Sequence, residues 1–186
     1  MNHLLDGARE SLPSGTVTFL FTDIENSTAL AKSFPGQMPA LMERHHAILH
    51  QSVQIYHGYV FQIVGDGFCA AFHTASDALC AAMAAQRLLQ HENRAPATLM
   101  VRMGIHTGAA QIGDQEDRSG GYRGYLTLAH VQRVMSSAHG GQILLSSAST
   151  ELVRGQLPEG VALLDMGECR LKGGMNPEHL CADRRQ

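Results

Sequence analysis

The sequence predicts an α+β domain with a ferredoxin-like βαββαβ core and a C-terminal extension. Three observations carry this. A β-branched and aromatic run, Thr16 to Asp23, ends at a carboxylate. Two short apolar runs, Tyr59–Val64 and Phe68–Phe72, are joined by Gly65-Asp66-Gly67, a tight strand connection. Amphipathic helical stretches precede and follow that pair, and another strand comes after them. An antiparallel-containing sheet with helices packed on one face follows from the order.

After the first strand, Glu25, Asn26, Ser27 and Thr28 offer helix-capping side chains before Ala29-Leu30-Ala31. Pro35-Gly36 interrupts the helix, which resumes from Pro39 to Tyr56 with Leu41, Ile48, Val53 and Ile55 among polar residues, and Gly58 stops it. Ser76 to Gln90 reads as the second amphipathic helix, its apolar side made of Ala, Leu and Met. Val101 to Thr107 alternates as a strand, and Gly113 to Gly121 is a polar surface loop. Tyr125 to Ala138 is the third long helix, broken by His139-Gly140-Gly141. A short strand (Gln142 to Leu145), a short helix (Ser149 to Arg154) and an extended segment (Val161 to Lys172) complete the chain.

At 186 residues and 20.1 kDa the chain fits one domain: a tail over 1–14, a body over 15–182 and a tail over 183–186. Apolar residues at 44% supply a core. A net charge of −3 and only 5% aromatics, with no tryptophan, argue against a nucleic-acid or membrane-surface partner. No apolar run approaches the roughly 20 residues that span a bilayer. Met1 to Ser14 lacks the form of a secretory signal. Cys69, Cys80, Cys169 and Cys181 show no metal-type spacing and read as reduced thiols of a cytoplasmic protein.

The chemistry centres on two carboxylates. Asp23 closes the first strand and Asp66 sits at the hairpin tip. In a ferredoxin-like sheet the first strand is central and neighbours the third, which brings them together. With the backbone carbonyl of Ile24 they make an oxygen set suited to Mg²⁺ or Mn²⁺ and, through the ion, to phosphates. The amides from Ile24 to Thr28 at a helix start add an anion site. Other residues invite weaker readings. His45, His46 and His50 read as solvated residues of a helix, and His106 as a strand imidazole with a local hydrogen bond. Met83, Met100, Met103, Met135 and Met166 read as core filler. Asp114, Glu116 and Asp117 form an acidic loop with no assigned role.

Phe19 to Thr28 resembles the opening motif of the class III nucleotide cyclases, the adenylate and guanylate cyclases. Gly65-Asp66-Gly67-Phe68 with Ala70-Ala71-Phe72 resembles their second metal motif, and Val101 to Gly108 their next core strand. Arg133 with Ser137 to Ser146 is similar to their catalytic helix and following strand, and Leu164 to Lys172 to their closing arm. The likeness runs from about Thr16 to Leu180, nearest to the short bacterial cyclase domains.

The resemblance implies a phosphorus–oxygen lyase that closes a nucleoside triphosphate, ATP first, to a 3′,5′-cyclic monophosphate and pyrophosphate. It implies two Mg²⁺ or Mn²⁺ ions on Asp23 and Asp66, Arg133 as transition-state stabiliser, and Lys172 on the terminal phosphates. It also implies a homodimer with sites shared between protomers. Three positions depart from the family pattern. Gln62 stands where adenine is usually read by Lys, and Tyr122 falls near the second base-reading position. Ala129 replaces the asparagine one turn before Arg133. The expectation is a slow or substrate-relaxed cyclase. The alternatives are a nucleotide-binding regulatory domain with little turnover, and a cyclase for GTP or a pyrimidine nucleotide.

Overall fold

A computed structural model describes residues 12–92, 98–113, 121–173 and 177–185. The acidic loop residues Asp114, Glu116 and Asp117 and most of the N-terminal tail lie outside the described residues. The chain runs β1 (Gly15–Ile24), α1 (Ser27–Ser33), α2 (Met38–Ile55), β2 (Tyr59–Val64), β3 (Gly67–Phe72), α3 (Ala75–Glu92) and β4 (Val101–Ile112). It continues with β5 (Tyr122–Arg123), α4 (Tyr125–Ser136), β6 (Ile143–Ser146), α5 (Ser147–Val153), β7 (Val161–Cys169) and β8 (Glu178–Arg185).

The strands hydrogen-bond in the order β2-β3-β1-β4-β6-β8-β7, with β5 pairing β4 off this path. The first four are antiparallel neighbours in the expected ferredoxin-like order, with β1 between β3 and β4. β6 lies parallel to β4 through the crossover helix α4, and β8 pairs antiparallel with both β6 and β7. Strands β5 and β8 were not anticipated. β5 has only two residues, and β8 carries the charged sequence Glu178-His179…Asp183-Arg184-Arg185, a poor strand signal on its own. β8 also extends into the segment read as a C-terminal tail.

Helices cover both faces of the sheet, not one. β1 is apolar on both sides, so each side needs a cover. Leu20 and Ile24 pack with Val101, Met103 and Ile105 of β4 under α2 and α3. Val17, Phe19 and Phe21 point the other way and meet Val131 and Met135 of α4. Alanines 78, 81, 82 and 85 let α3 lie close to the sheet, and the Gln86 side-chain amide donates to the Val101 carbonyl at 2.6 Å. On the opposite side, Gly104 lets α4 approach, since a methyl there would stand 2.6 Å from the Met135 Cα.

Two side-chain readings need correction. His45 is fully buried on the apolar face of α2, edge-on to Phe68, instead of solvated. It follows the i, i+3, i+4 spacing of Ile48, Leu49 and Ser52, which sets the buried face. Met83, Met103 and Met135 are core residues, whereas Met100 and Met166 are 41% and 42% exposed. All four cysteines are free thiols. Among the described residues no helix is long and apolar enough to cross a membrane.

Candidate active site

Strand register places the two aspartates. Thr22 of β1 pairs with Phe68 of β3, so the chain beyond each reaches the same end of the sheet. The turn that carries Asp66 is set by Gly65, whose φ of 61° is left-handed and costs glycine little. The Ile24 amide then donates to Asp66 Oδ2 at 2.9 Å, fixing the turn on the end of β1. Asp23 itself pairs in register with Arg102 of β4. The Arg102 Nε donates to Asp23 Oδ2 at 3.0 Å, and its Nη2 makes a shorter ion pair with the same oxygen.

This arrangement perturbs Asp23. Burial raises its carboxyl above the ordinary value of 3.8, the hydrogen bond from Arg102 pulls it down, and the neighbouring charge of Asp66 pushes it up again. The net effect is a rise. Two close carboxylates that repel each other, with hard oxygen donors and a single guanidinium between them and neutrality, are a donor set that suits a hard divalent cation. The residues therefore fit Mg²⁺ or Mn²⁺. Arg102 is a site residue to which the sequence reading gave no role. Its signal was a polar position in an alternating strand, and only the register across to Asp23 reveals what it faces.

The other expected site residues fall in different places. On α4, Thr127, Val131, Val134 and Met135 face the sheet, so the helical period turns Arg133 and Ala129 together to the outer side. Arg133 makes no side-chain hydrogen bond or ion pair among the described residues, and it is not brought to the aspartates of its own chain. Gln62 is exposed on edge strand β2, at a register irregularity opposite Cys69. Lys172 is exposed in the turn after β7, beside buried Leu171. Asn26 takes a left-handed φ of 58° as the residue before α1, and no side-chain cap forms, contrary to the expected capping. Ser27 and Thr28 begin that helix, but the Glu25 amide is engaged by the Met100 carbonyl at 2.8 Å and the Ile24 amide by Asp66. The anion site is therefore smaller than expected.

Tyr122 points inward. Its ring stands edge-on to Phe19 and Phe61, each at 5.1 Å, and burial pushes its hydroxyl up to about 12. Its oxygen is sealed from solvent, with no hydrogen-bond partner among the described residues. The aromatic ring is held in the apolar cluster beneath α4.

A second cluster lies on the same side of the sheet. His106 of β4, His130 of α4 and Glu178 of β8 come together. The His106 and His130 rings stack at 4.2 Å and 29°, and His130 Nε2 lies against Glu178 Oε2. His106 Nδ1 shares a hydrogen bond with Ser146 Oγ at 2.8 Å, the local bond expected for a strand imidazole. Burial, then the charge of His130, lowers the His106 pKa to about 4. Burial likewise lowers His45 to about 4.

Comparisons with known proteins agree with this fold. The family model described as the adenylate and guanylate cyclase catalytic domain matches residues 10–181. An uncharacterized protein of Mycobacterium tuberculosis is 36% identical over 168 residues, covering 89% of this chain and 55% of that protein. An adenylate cyclase of Lachancea kluyveri is 35% identical over 157 residues, covering 73% of this chain and 8% of the yeast protein. The chain thus spans about half, or far less, of these relatives. A solved adenylate cyclase structure from Trypanosoma brucei superposes with a TM-score of 0.81 at 26% identity, covering 95% of this chain and 93% of the other.

Proposed function

The chain belongs to the adenylate and guanylate cyclase catalytic-domain family, and from that premise we propose that two copies together convert a nucleoside triphosphate, ATP first, to its 3′,5′-cyclic monophosphate and pyrophosphate. The observation that carries this reading is the convergence of Asp23 and Asp66, held by the Ile24 amide and Arg102 at one end of the sheet. Asp23, Asp66 and the Ile24 carbonyl would hold two Mg²⁺ or Mn²⁺ ions. The chemistry those ions supply when bound is acidification of the 3′-hydroxyl and neutralisation of charge on the attacking and leaving oxygens.

The chain's own residues do the rest. Arg102 holds Asp23 at the end of β1 through its Nε and Nη2 and offsets part of the carboxylate charge. Ser27 and Thr28, with Asn26, line the approach of the triphosphate at the start of α1. Arg133, on the outer side of α4, stabilises charge developing around the α-phosphate in the partner's site. Lys172 meets the terminal phosphates, and Gln62 offers both a donor and an acceptor to the base edge. Tyr122 plays no direct part in base reading, because its ring is committed to Phe19 and Phe61.

A homodimer is supported by apolar residues left uncovered at both ends of the sheet. Tyr125 and Leu126, at the start of α4, are 81% and 80% exposed. Ile63 and Val64, immediately before the Asp66 turn, are also exposed. A shared interface would cover these residues and deliver Arg133 across it. The protein works in the cytoplasm, where its triphosphate substrates are.

Ala129 and the buried Tyr122 favour a second reading, a nucleotide-binding regulatory domain with little turnover. Loss of one orienting donor lowers a rate by about 100- to 1000-fold without removing the remaining catalysis. Purified protein incubated with Mn²⁺ and each of the four nucleoside triphosphates separates the readings by product mass. A cyclic product from ATP supports the first. Product from GTP or a pyrimidine nucleotide alone reassigns the substrate, and binding without product leaves the regulatory reading.

A further inference from the structure

We propose that His106, His130 and Glu178 form a binding site for one transition-metal dication of the Zn²⁺ class, distinct from the aspartate pair. Each residue offers one ligand atom, and the three atoms lie within 4.8 Å of one another. Two imidazoles and one carboxylate form a mixed nitrogen and oxygen set, which suits Zn²⁺ and its neighbours. Mg²⁺ prefers oxygen alone.

The surroundings are those of a built site. His106 sits within β4, and the register continues from Ile105↔Leu145 to bring Ser146 beside it. The 2.8 Å bond between His106 Nδ1 and Ser146 Oγ fixes the ring and leaves Nε2 as its free ligand atom. Such outer hydrogen bonds are what orient metal-binding imidazoles. Glu178 is only 13% exposed, and its Oε2, like His130 Nε2, is sealed from solvent. The two atoms touch, yet among the described residues neither has a partner in good hydrogen-bond geometry. They are two polar atoms held together with their lone pairs poorly used.

Coordination makes one demand on the geometry. The two rings stack at 29°, and a shared ion must lie in the plane of both. His130, 30% exposed on the flank of α4, therefore turns about its Cβ–Cγ bond on binding, a torsion with broad, shallow preferences. An ion held this way ties α4, which carries Arg133, to the central strand β4 and to β8.

The test uses the full chain in excess Mg²⁺, titrated with Zn²⁺ by calorimetry and with Co²⁺ by visible absorption. One saturating equivalent is expected, with a four- or five-coordinate Co²⁺ spectrum. His130→Ala and Glu178→Gln should each weaken binding by about 100-fold, whereas His139→Ala should leave it unchanged. X-ray absorption of the Zn²⁺-loaded, unaltered chain should count two imidazoles, a result independent of whether any variant folds. No saturable binding overturns the proposal. So does one-equivalent binding that survives both variants, binding that His139→Ala removes, or an absorption spectrum without two imidazoles.

Discussion

Two clusters of ligand-type side chains share one face of the sheet, about 13 Å apart along β4 from Arg102 to His106. They differ in how they are made and in what they lack. The aspartate cluster comes from the end of one strand and the adjoining hairpin turn, and its charge is unbalanced, with two carboxylates against Arg102. The histidine cluster comes from β4, α4 and β8, and it is internally paired through His130 and Glu178. Between them Met135 of α4 rests on Gly104. A site built from one strand end and one turn is open, and in the proposed reaction a cation, a substrate and a second copy complete it. A site built from three packed elements closes on itself. One helix adjoins both: its outer side carries Arg133, and its flank turns His130 toward His106.

The largest effect should come from Asp66→Asn. It keeps the oxygen that accepts from the Ile24 amide but removes the charge, so product formation should fall by about 100- to 1000-fold. Mass analysis of the products checks this, and retained activity would sever the aspartates from the reaction. Gly104→Ala probes what separates the clusters. The methyl would meet the Met135 backbone, and urea unfolding should show a loss of about 1–3 kcal/mol. An unchanged midpoint would mean that α4 does not rest on this glycine.

Acid should weaken the fold in a defined window. His45 and His106 stay neutral in the folded protein down to about 4, while the unfolded chain takes up protons from about 6.5. Stability therefore declines as pH falls through that interval and levels below it. His45→Leu removes one of the two groups, together with two buried ring nitrogens that have no hydrogen-bond partner among the described residues. It should gain about 1 kcal/mol near neutral pH and show a shallower acid slope, read by urea unfolding at several pH values. A slope as steep as that of the unaltered chain would remove His45 from the account. The smallest effect concerns the aspartates. Because Asp23 holds its proton above 3.8, Mn²⁺ affinity followed by electron spin resonance should begin to weaken while the pH is still above that value. An affinity that falls no earlier than an unshifted carboxylate of 3.8 requires would mean that Asp66 and burial do not act on Asp23 in this way.

The aspartate cluster was readable in the sequence because its parts are local. A strand ending in Asp23 and a Gly-Asp-Gly turn after the second strand meet wherever a ferredoxin-like order holds, and that order follows from the alternation of apolar runs. Arg102 needed one further fact, the register of β4 against β1, which alternation alone does not supply. The histidine cluster was not readable. Glu178 lies in β8, whose charged sequence hides a strand, and His130 looks like any flank residue of a helix. The surroundings of Tyr122 were hidden for a related reason. Its neighbours Phe19 and Phe61 lie far off in sequence, and only the fold turns all three rings into one cluster. His45 was hidden by its polarity, although its spacing with Ile48, Leu49 and Ser52 already put it on the buried face.

The claim that joins these observations is that the site is shared between two copies. Arg133 faces outward on α4, away from Asp23 of its own chain. Mixing an Asp23→Ala chain with an Arg133→Ala chain tests this directly, with each variant alone as control. Each variant alone should be inactive, and the mixture should recover about a quarter of the unaltered activity, since half of the freely exchanging dimers carry one intact site of two. No recovery from a mixture shown to form mixed dimers would contradict the shared site and return Arg133 to a surface role.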